Sequence, residues 1–156
     1  MKKLTINIPD GYKVKSFDKE TGEIYFEEIP KNITERIKTI EDAIKELGDQ
    51  DEEVIELRKM EKAGITSHIL YYQQIVVFTK ALNEDCIADW SNSNQRKYFN
   101  WFEMGSSSGS VFRVSGCVDW HTDSSCGARL CFKSKELATY AGKQFESIYK
   151  EAFTQK

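Results

Sequence analysis

The stretch Ile69–Phe78 restricts most what this chain can become. Ile69, Leu70, Tyr71, Tyr72, Ile75, Val76, Val77 and Phe78 leave almost no polar face. A helix that is apolar nearly all round has to be covered on most sides, so it belongs in the middle of a fold. Thr66 supplies an N-cap, and the pattern predicts a helix from there to about Asn83. The run Ile75–Thr79 is β-branched enough to serve as a strand instead, so periodicity leaves that alternative open.

The covering elements are amphipathic. Asn32 followed by Glu35 makes a capping box, and Ile33, Ile37, Ile40, Ile44 and Leu47 form one stripe that Gly48 ends. The opposite face, with Glu35, Lys38, Glu41, Asp42 and Lys45, is left to solvent. Asp51–Ala63 predicts a more charged helix carrying Val54, Leu57 and Met60, stopped by Gly64. Near the end, Leu137, Ala141, Phe145, Ile148 and Ala152 recur at helical spacing, and Ser134 caps the helix they define. Gly142 sits inside it at a cost of ~1 kcal/mol relative to alanine. With Ala138 and Ala141 beside it, the glycine predicts that another backbone packs closely there.

Strand patterns bracket these helices. Lys3–Ile8 and Tyr12–Phe17 flank the turn Pro9-Asp10-Gly11, and Ile24–Ile29 follows a second turn at 18–22 before Pro30 closes the unit. This predicts a β-hairpin or meander. After the polar loop Asp85–Gln95, three further strands are expected at Tyr98–Met104, Val111–Val118 and Ala128–Lys133. Their connections, Gly105–Ser110 and Asp119–Gly127, hold no helix, which implies an antiparallel meander. The expected fold is α+β. A single domain, 1–156, has a β-unit at 1–30, three helices within 32–84, and at 97–153 a three-stranded meander closed by a C-terminal amphipathic helix.

Charge and cysteine usage narrow the setting. Residues 1–94 carry 13 basic and 19 acidic side chains, whereas residues 95–156 carry 9 and 6, so the second half is mildly basic. That half is compatible with an anionic partner without demanding one. No run of eighteen apolar residues occurs, and no apolar core precedes Pro9 and Asp10, so no membrane partner and a cytoplasmic location are expected. Cys86, Cys117, Cys126 and Cys131 are then expected as free thiols.

Cys117, His121, Cys126 and Cys131 could ligate zinc, but the tight Cys-x2-4-Cys knuckle of structural sites is missing. Asp119, His121 and Asp123 could hold a cation, or form an ordinary polar turn. His121 and Cys126 share one loop, which leaves a weak option of a metal site or an enzyme at 117–126. His68, at the start of an apolar helix, reads as a packed or surface histidine. No nucleophile elbow, P-loop, dinucleotide fingerprint or His-Glu-x-x-His is present, so neither catalysis nor a cofactor is expected.

The surface is more informative. Alternation places Phe112, Val114 and Val118 on one sheet face with Leu130 and Phe132. The other face then carries Arg113, Arg129, Lys133, Cys117 and Cys131, with Phe99 and Trp101 if they share it. Aromatics among basic residues are how single-stranded nucleic acid is stacked and neutralised. Trp90, Trp101 and Trp120 equally suit a protein–protein surface, where tryptophan is a common anchor. Protein binding or self-association through Trp90, Trp101, Trp120 and Phe99 is the leading expectation. Nucleic-acid binding through Arg113, Arg129 and Lys133 is the second.

The segments Trp90-Ser91-Asn92, Lys97–Met104 and Trp120-His121 precede a close of Arg129-Leu130-Cys131-Phe132-Lys133-Ser134, Glu136-Leu137-Ala138 and Tyr140-Ala141-Gly142-Lys143-Gln144-Phe145. Over roughly residues 80–153 this pattern resembles an uncharacterised family of small proteins of phages, prophages and mobile elements of gut bacteria. Ile8-Pro9-Asp10-Gly11-Tyr12 also looks like a start common among them. The resemblance implies a mobile-element origin and a bacterial host cell, and it brings no catalytic residue.

Overall fold

The computed structural model describes residues 6–28, 32–84, 86–105 and 112–154. The chain divides into two compact units, 1–32 and 33–156. The fold is α+β, and among the described residues no helix is long and apolar enough to cross a membrane.

The first unit is a hairpin of β1 (Tyr12–Phe17) and β2 (Ile24–Glu28), paired antiparallel. Asp18 accepts the amides of Glu20 and Thr21 and so folds the connecting turn. Ile6–Ile8 form no strand, and Lys3–Thr5, Ile29 and Pro30 lie outside the described residues. A bulge between Val14 and Ser16 leaves Lys15 unpaired. Its effect is to keep Tyr12, Val14, Phe17, Ile24 and Phe26 on one face.

The second unit is built around α4 (His68–Asn83), as the apolar run requires. Ile75, Val77, Phe78, Ala81 and Leu82 are fully buried, and the β-branched run Ile75–Thr79 is helical throughout. The N-cap position falls on Ser67 instead of the expected Thr66, and no side chain caps that end. Around α4 lie α2 (Ile40–Leu47), α3 (Glu52–Lys62) and α6 (Glu146–Phe153). Val54 and Leu57 bury from α3, and Phe145 stacks on Phe78 with ring centroids 4.2 Å apart.

Ile33, Ile37 and Ile44 of the isoleucine stripe are buried and Ile40 and Leu47 half-buried, yet the stripe spans two helices. The first, α1 (Ile33–Arg36), stops before Thr39, which starts α2 with its own capping box to Asp42. The break is satisfied on both sides. The Asp42 carboxylate accepts the amides of Lys38 and Thr39, while Tyr140 and Gln144 donate to the carbonyls of Ile37 and Lys38 at 2.5 and 2.8 Å. Those backbone amides hold the Asp42 carboxyl below its usual range. A carboxyl depressed in the folded state stabilises fully above its unfolded pKa of about 3.9, and that contribution fades as pH falls through the folded value. Asp42→Ala is therefore expected to lower the urea midpoint at pH 7, with the difference from wild type shrinking by pH 3. An unchanged difference at the two pH values would show that the carboxylate is not what holds the break.

The C-terminal helix also divides, into α5 (Lys135–Gln144) and α6, at the buried Phe145. Ser134 caps α5 as expected, accepting the Leu137 amide. Gly142 is required by side chains of the sheet, not by a backbone. A Cβ there would lie 2.8 Å from Asn100 Oδ1 and 2.9 Å from Val114 Cγ2.

The expected three-stranded meander is not formed. The sheet has two strands, β3 (Lys97–Glu103) and β4 (Arg113–Trp120), and Ala128–Leu130 is a 3-10 turn. Only Phe132 makes a bridge, and it pairs with Tyr98 of β3, not with β4. The reason lies in what flanks the segment. The Asn83 side chain, at the end of α4, donates to the Cys131 carbonyl at 2.7 Å and accepts the Lys133 amide at 2.9 Å. One amide side chain thereby closes the outer edge of the segment, while the 3-10 turn before it, in which the Cys131 amide donates to the Ala128 carbonyl, and the N-cap of α5 at Ser134 leave room for a single bridge. Residues 106–111, in the expected hairpin tip and at the start of its second strand, lie outside the described residues.

Candidate functional site: the outer face of the β3–β4 sheet

Register decides which side chains share this face. Lys97, Phe99 and Trp101 stand opposite Trp120, Val118 and Gly116, and cross-strand partners point the same way. The intervening residues turn to the helices. Asn100 Nδ2 donates to the Tyr149 hydroxyl at 2.9 Å, and Phe102 packs its ring on Tyr149 and Phe112. The outer row therefore reads Lys97/Trp120, Phe99/Val118, Trp101/Gly116.

A bulge between Trp101 and Phe102 alters the expected alternation. It leaves Ser115 unpaired, its hydroxyl donating to the Trp101 carbonyl, and reverses parity along β4. Val114 and Cys117 consequently face the helices, and Val118 joins the outer row. Cys131 is buried rather than displayed.

The tryptophans on this face are exposed: Trp101 by 61% and Trp120 by 44%, whereas Phe99 between them is 4% exposed. Same-face neighbours along a strand are about 6.8 Å apart, so the indole-bearing rungs lie about 14 Å from each other. Trp90 is half-buried and sits at the Lys97 end, with the Lys97 ammonium 5.4 Å from its ring centroid.

Lys97 is the residue whose importance the sequence did not signal. It is almost wholly buried, and its ammonium donates to the carbonyls of Asn92 and His121 at 3.2 and 2.7 Å. His121 Nδ1 is 2.5 Å from the Ser93 carbonyl. Asp89 accepts both the amide and the hydroxyl of Ser91, so the loop carrying Trp90 is stiffened from within as well. One cation ties loop 89–95, the start of β3 and the end of β4 together. Lys97→Met keeps the volume but leaves two carbonyls without their donor, and should cost about 2 kcal/mol. It should also red-shift Trp90 emission when read in a Trp101→Phe/Trp120→Phe background. Unchanged stability and emission would mean that loop 89–95 does not depend on this lysine.

The three nominated basic residues are each engaged. Arg113 pairs with Glu103 at 2.7 Å, Arg129 with Glu53 at 3.4 Å and Lys133 with Glu84 at 2.6 Å. Arg113 belongs to the sheet, but Arg129 and Lys133 are outside its two strands, by the end of α4, where Lys133 lines a small cavity with Lys97. Lys133, helped by Arg36, holds the Glu84 carboxyl below the usual range.

Burial dominates the Cys126 and Cys131 thiols. It pushes Cys131 up to about 11 and raises Cys126 as well, so both favour the neutral form. Among the described residues no three His, Cys, Asp or Glu side chains gather as a metal-binding group.

A cavity of about 420 Å³ at the C-terminal end of α4 was not anticipated from sequence. Val76, Cys131 and Ile87 contribute to its wall, and Ile87 is 86% exposed. The only sequence signal was an isoleucine placed in a polar loop. Its rim cations are taken, Lys80 by Asp51 at 2.6 Å and Arg129 by Glu53. No family model, no curated protein and no solved structure matches this chain.

Proposed function

We propose that the chain is a non-catalytic interaction protein of a phage or mobile element, which docks a protein partner on the outer face of the β3–β4 sheet. The observation that carries this reading is the exposure of Trp101 and Trp120 on either side of buried Phe99. Large aromatics at the centre of a rigid patch are the usual anchors of protein interfaces, because they exchange much apolar area for little lost side-chain freedom. The Lys97 tie and the β-ladder fix the platform beforehand, which lowers the ordering cost of binding. The resemblance over residues 80–153 supports the mobile-element origin.

Single-stranded nucleic acid is the second reading. Exposed Trp101 and Trp120 favour it as stacking faces, but Phe99 is buried, Arg113, Arg129 and Lys133 are ion-paired, and two of these three are outside the two strands.

The test compares wild type with Trp101→Ala and Trp120→Ala as baits in a bacterial host lysate, alongside a labelled oligonucleotide titrated at two salt concentrations. Each variant should keep its melting temperature and lose at least about tenfold in affinity for a captured protein. Equal capture by wild type and both variants would remove the docking reading. Saturable, salt-sensitive oligonucleotide binding that fails in Trp101→Ala would put the nucleic-acid reading in its place.

A further inference from the structure

The hairpin unit has a surface that the function proposed above does not use. Every residue of β1 is exposed, and none of the described residues of 1–32 is buried. Nevertheless its two faces differ sharply. One gathers Tyr12, Val14, Phe17, Ile24 and Phe26, and at its open end Glu28, which stands opposite Tyr12 and accepts its hydroxyl at 3.2 Å. The other is polar, with Lys13 bonded to Glu27 at 3.0 Å, Ser16, and Tyr25 donating its hydroxyl to Glu23. The bulge at Lys15 is what preserves this segregation, because without it Phe17 would fall on the polar side. A two-stranded hairpin with one apolar face is marginal in water until that face is covered.

We infer that the apolar face of the β1–β2 hairpin is a self-association surface, covered by the same face of a second copy. Charge points to the occupant. Residues 1–32 hold six lysines and six acidic residues, so the unit has no basic excess to draw it to an anionic membrane or nucleic acid. The charges are instead sorted by strand. β1 carries Lys13 and Lys15 and no acid, whereas β2 carries Glu27 and Glu28 and no base.

Each hairpin is thus a dipole across its width. A two-fold axis parallel to the strands lays β1 of each copy over β2 of the other, and the two dipoles oppose. The alternative axis, across the strands, stacks lysine strand on lysine strand. Packed sheets lie about 10 Å apart, and Lys13 and Glu27 point away from the facing copy, beyond the screening length of about 8–10 Å, so the charges bias orientation through Lys15 and Glu28 and add little strength.

Area sets the strength. Tyr12, Val14, Phe17 and Phe26 are 36% to 55% exposed. With Ile24 they offer about 400–500 Å² per copy, from typical side-chain areas. The pair buries roughly 800–1,000 Å², the size of a weak, reversible association.

Sedimentation velocity from about 5 µM to about 1 mM tests this, that range being chosen for an interface of such a size. Wild type should pass from monomer to dimer, and Val14→Lys and Phe17→Lys should stay monomeric with an unchanged melt of the helical unit. Lys15→Glu and Glu28→Lys, which leave the Lys13–Glu27 pair intact, should each weaken the dimer only slightly and favour the mixed pair when combined. A wild type that stays monomeric throughout overturns the inference, as does a dimer that survives both lysine substitutions. So does a hairpin that binds neutral lipid vesicles while the protein remains monomeric. The Trp101 and Trp120 variants should dimerise normally, so failure here and failure of partner docking are read separately.

Discussion

Phe78→Ala is expected to remove about 3–5 kcal/mol of stability, the range for deleting a buried aromatic side chain. A domain of this kind has only about 5–15 kcal/mol in total, so the variant should be partly unfolded at 37 °C. The position explains the size. Phe78 is fully buried at the centre of α4, stacked on Phe145 at 4.2 Å and edge-on to Tyr149 at 5.5 Å. Phe145 is also the residue at which α5 gives way to α6. Truncation therefore opens a cavity where three helices meet, and the surroundings cannot collapse into it without moving the α5–α6 junction. Urea unfolding followed by far-ultraviolet dichroism measures the loss, and Phe78→Leu should retain about half of it as the smaller change. A cost below about 1 kcal/mol would show that the core closes around the site and that the stack is not what holds the junction.

The central position of α4 was legible because an all-apolar helix has a single physical solution. The same holds for the isoleucine stripe, whose buried members are the ones its spacing selects, and for the β1–β2 pair with its turn chemistry. Less legible were the places where two local solutions compete. Thr39-x-x-Asp42 can cap a new helix or ride along inside a longer one. The decision came from Tyr140 and Gln144, about a hundred residues away, which take up the carbonyls that a continuous helix would have used. Phe145 posed a similar choice, settled by the stack on Phe78. The third strand failed for a related reason: its pattern was strand-like, but Ala128–Leu130 curl into a 3-10 turn and Ser134 already caps α5, with Asn83 closing the outer edge between them.

The site was legible in residue type and not in arrangement. Tryptophan in a strand with polar neighbours is a fair sign of an exposed anchor, and Trp101 and Trp120 share one face. Strict alternation could not foresee the bulge at Ser115, so it placed Val118 and Cys117 on each other's faces. Arg129 and Lys133 were assigned to the aromatic face only because their segment was taken for a third strand. Lys97 gave no signal, since a lysine at the start of a strand ordinarily points to water. Its burial depends on the carbonyls of two loops, which no local pattern encodes.

Gly142→Ala is the second substitution with a large expected effect, and its sign runs against helix propensity. In an exposed helix the change would gain about 1 kcal/mol. Here the new methyl would meet Asn100 Oδ1 at 2.8 Å and Val114 Cγ2 at 2.9 Å, closer than real Cβ contacts come. An amide at the end of a free side chain could swing aside. Asn100 cannot do so cheaply, because its Nδ2 donates to the buried Tyr149 hydroxyl, and burial already pushes that phenol's pKa upward. Either α5 lifts from the sheet or a buried hydrogen bond breaks, and overpacking of this kind costs about 1–3 kcal/mol. A net loss of about 2 kcal/mol should lower the melting temperature by several degrees. Asn100→Ala should relieve part of the clash, so the double variant should be more stable than the two single losses predict, by about 1 kcal/mol. If Gly142→Ala instead stabilises the protein, α5 does not rest on the sheet at this distance. The outer face would then lose the backing that keeps Trp101 and Trp120 on a rigid platform.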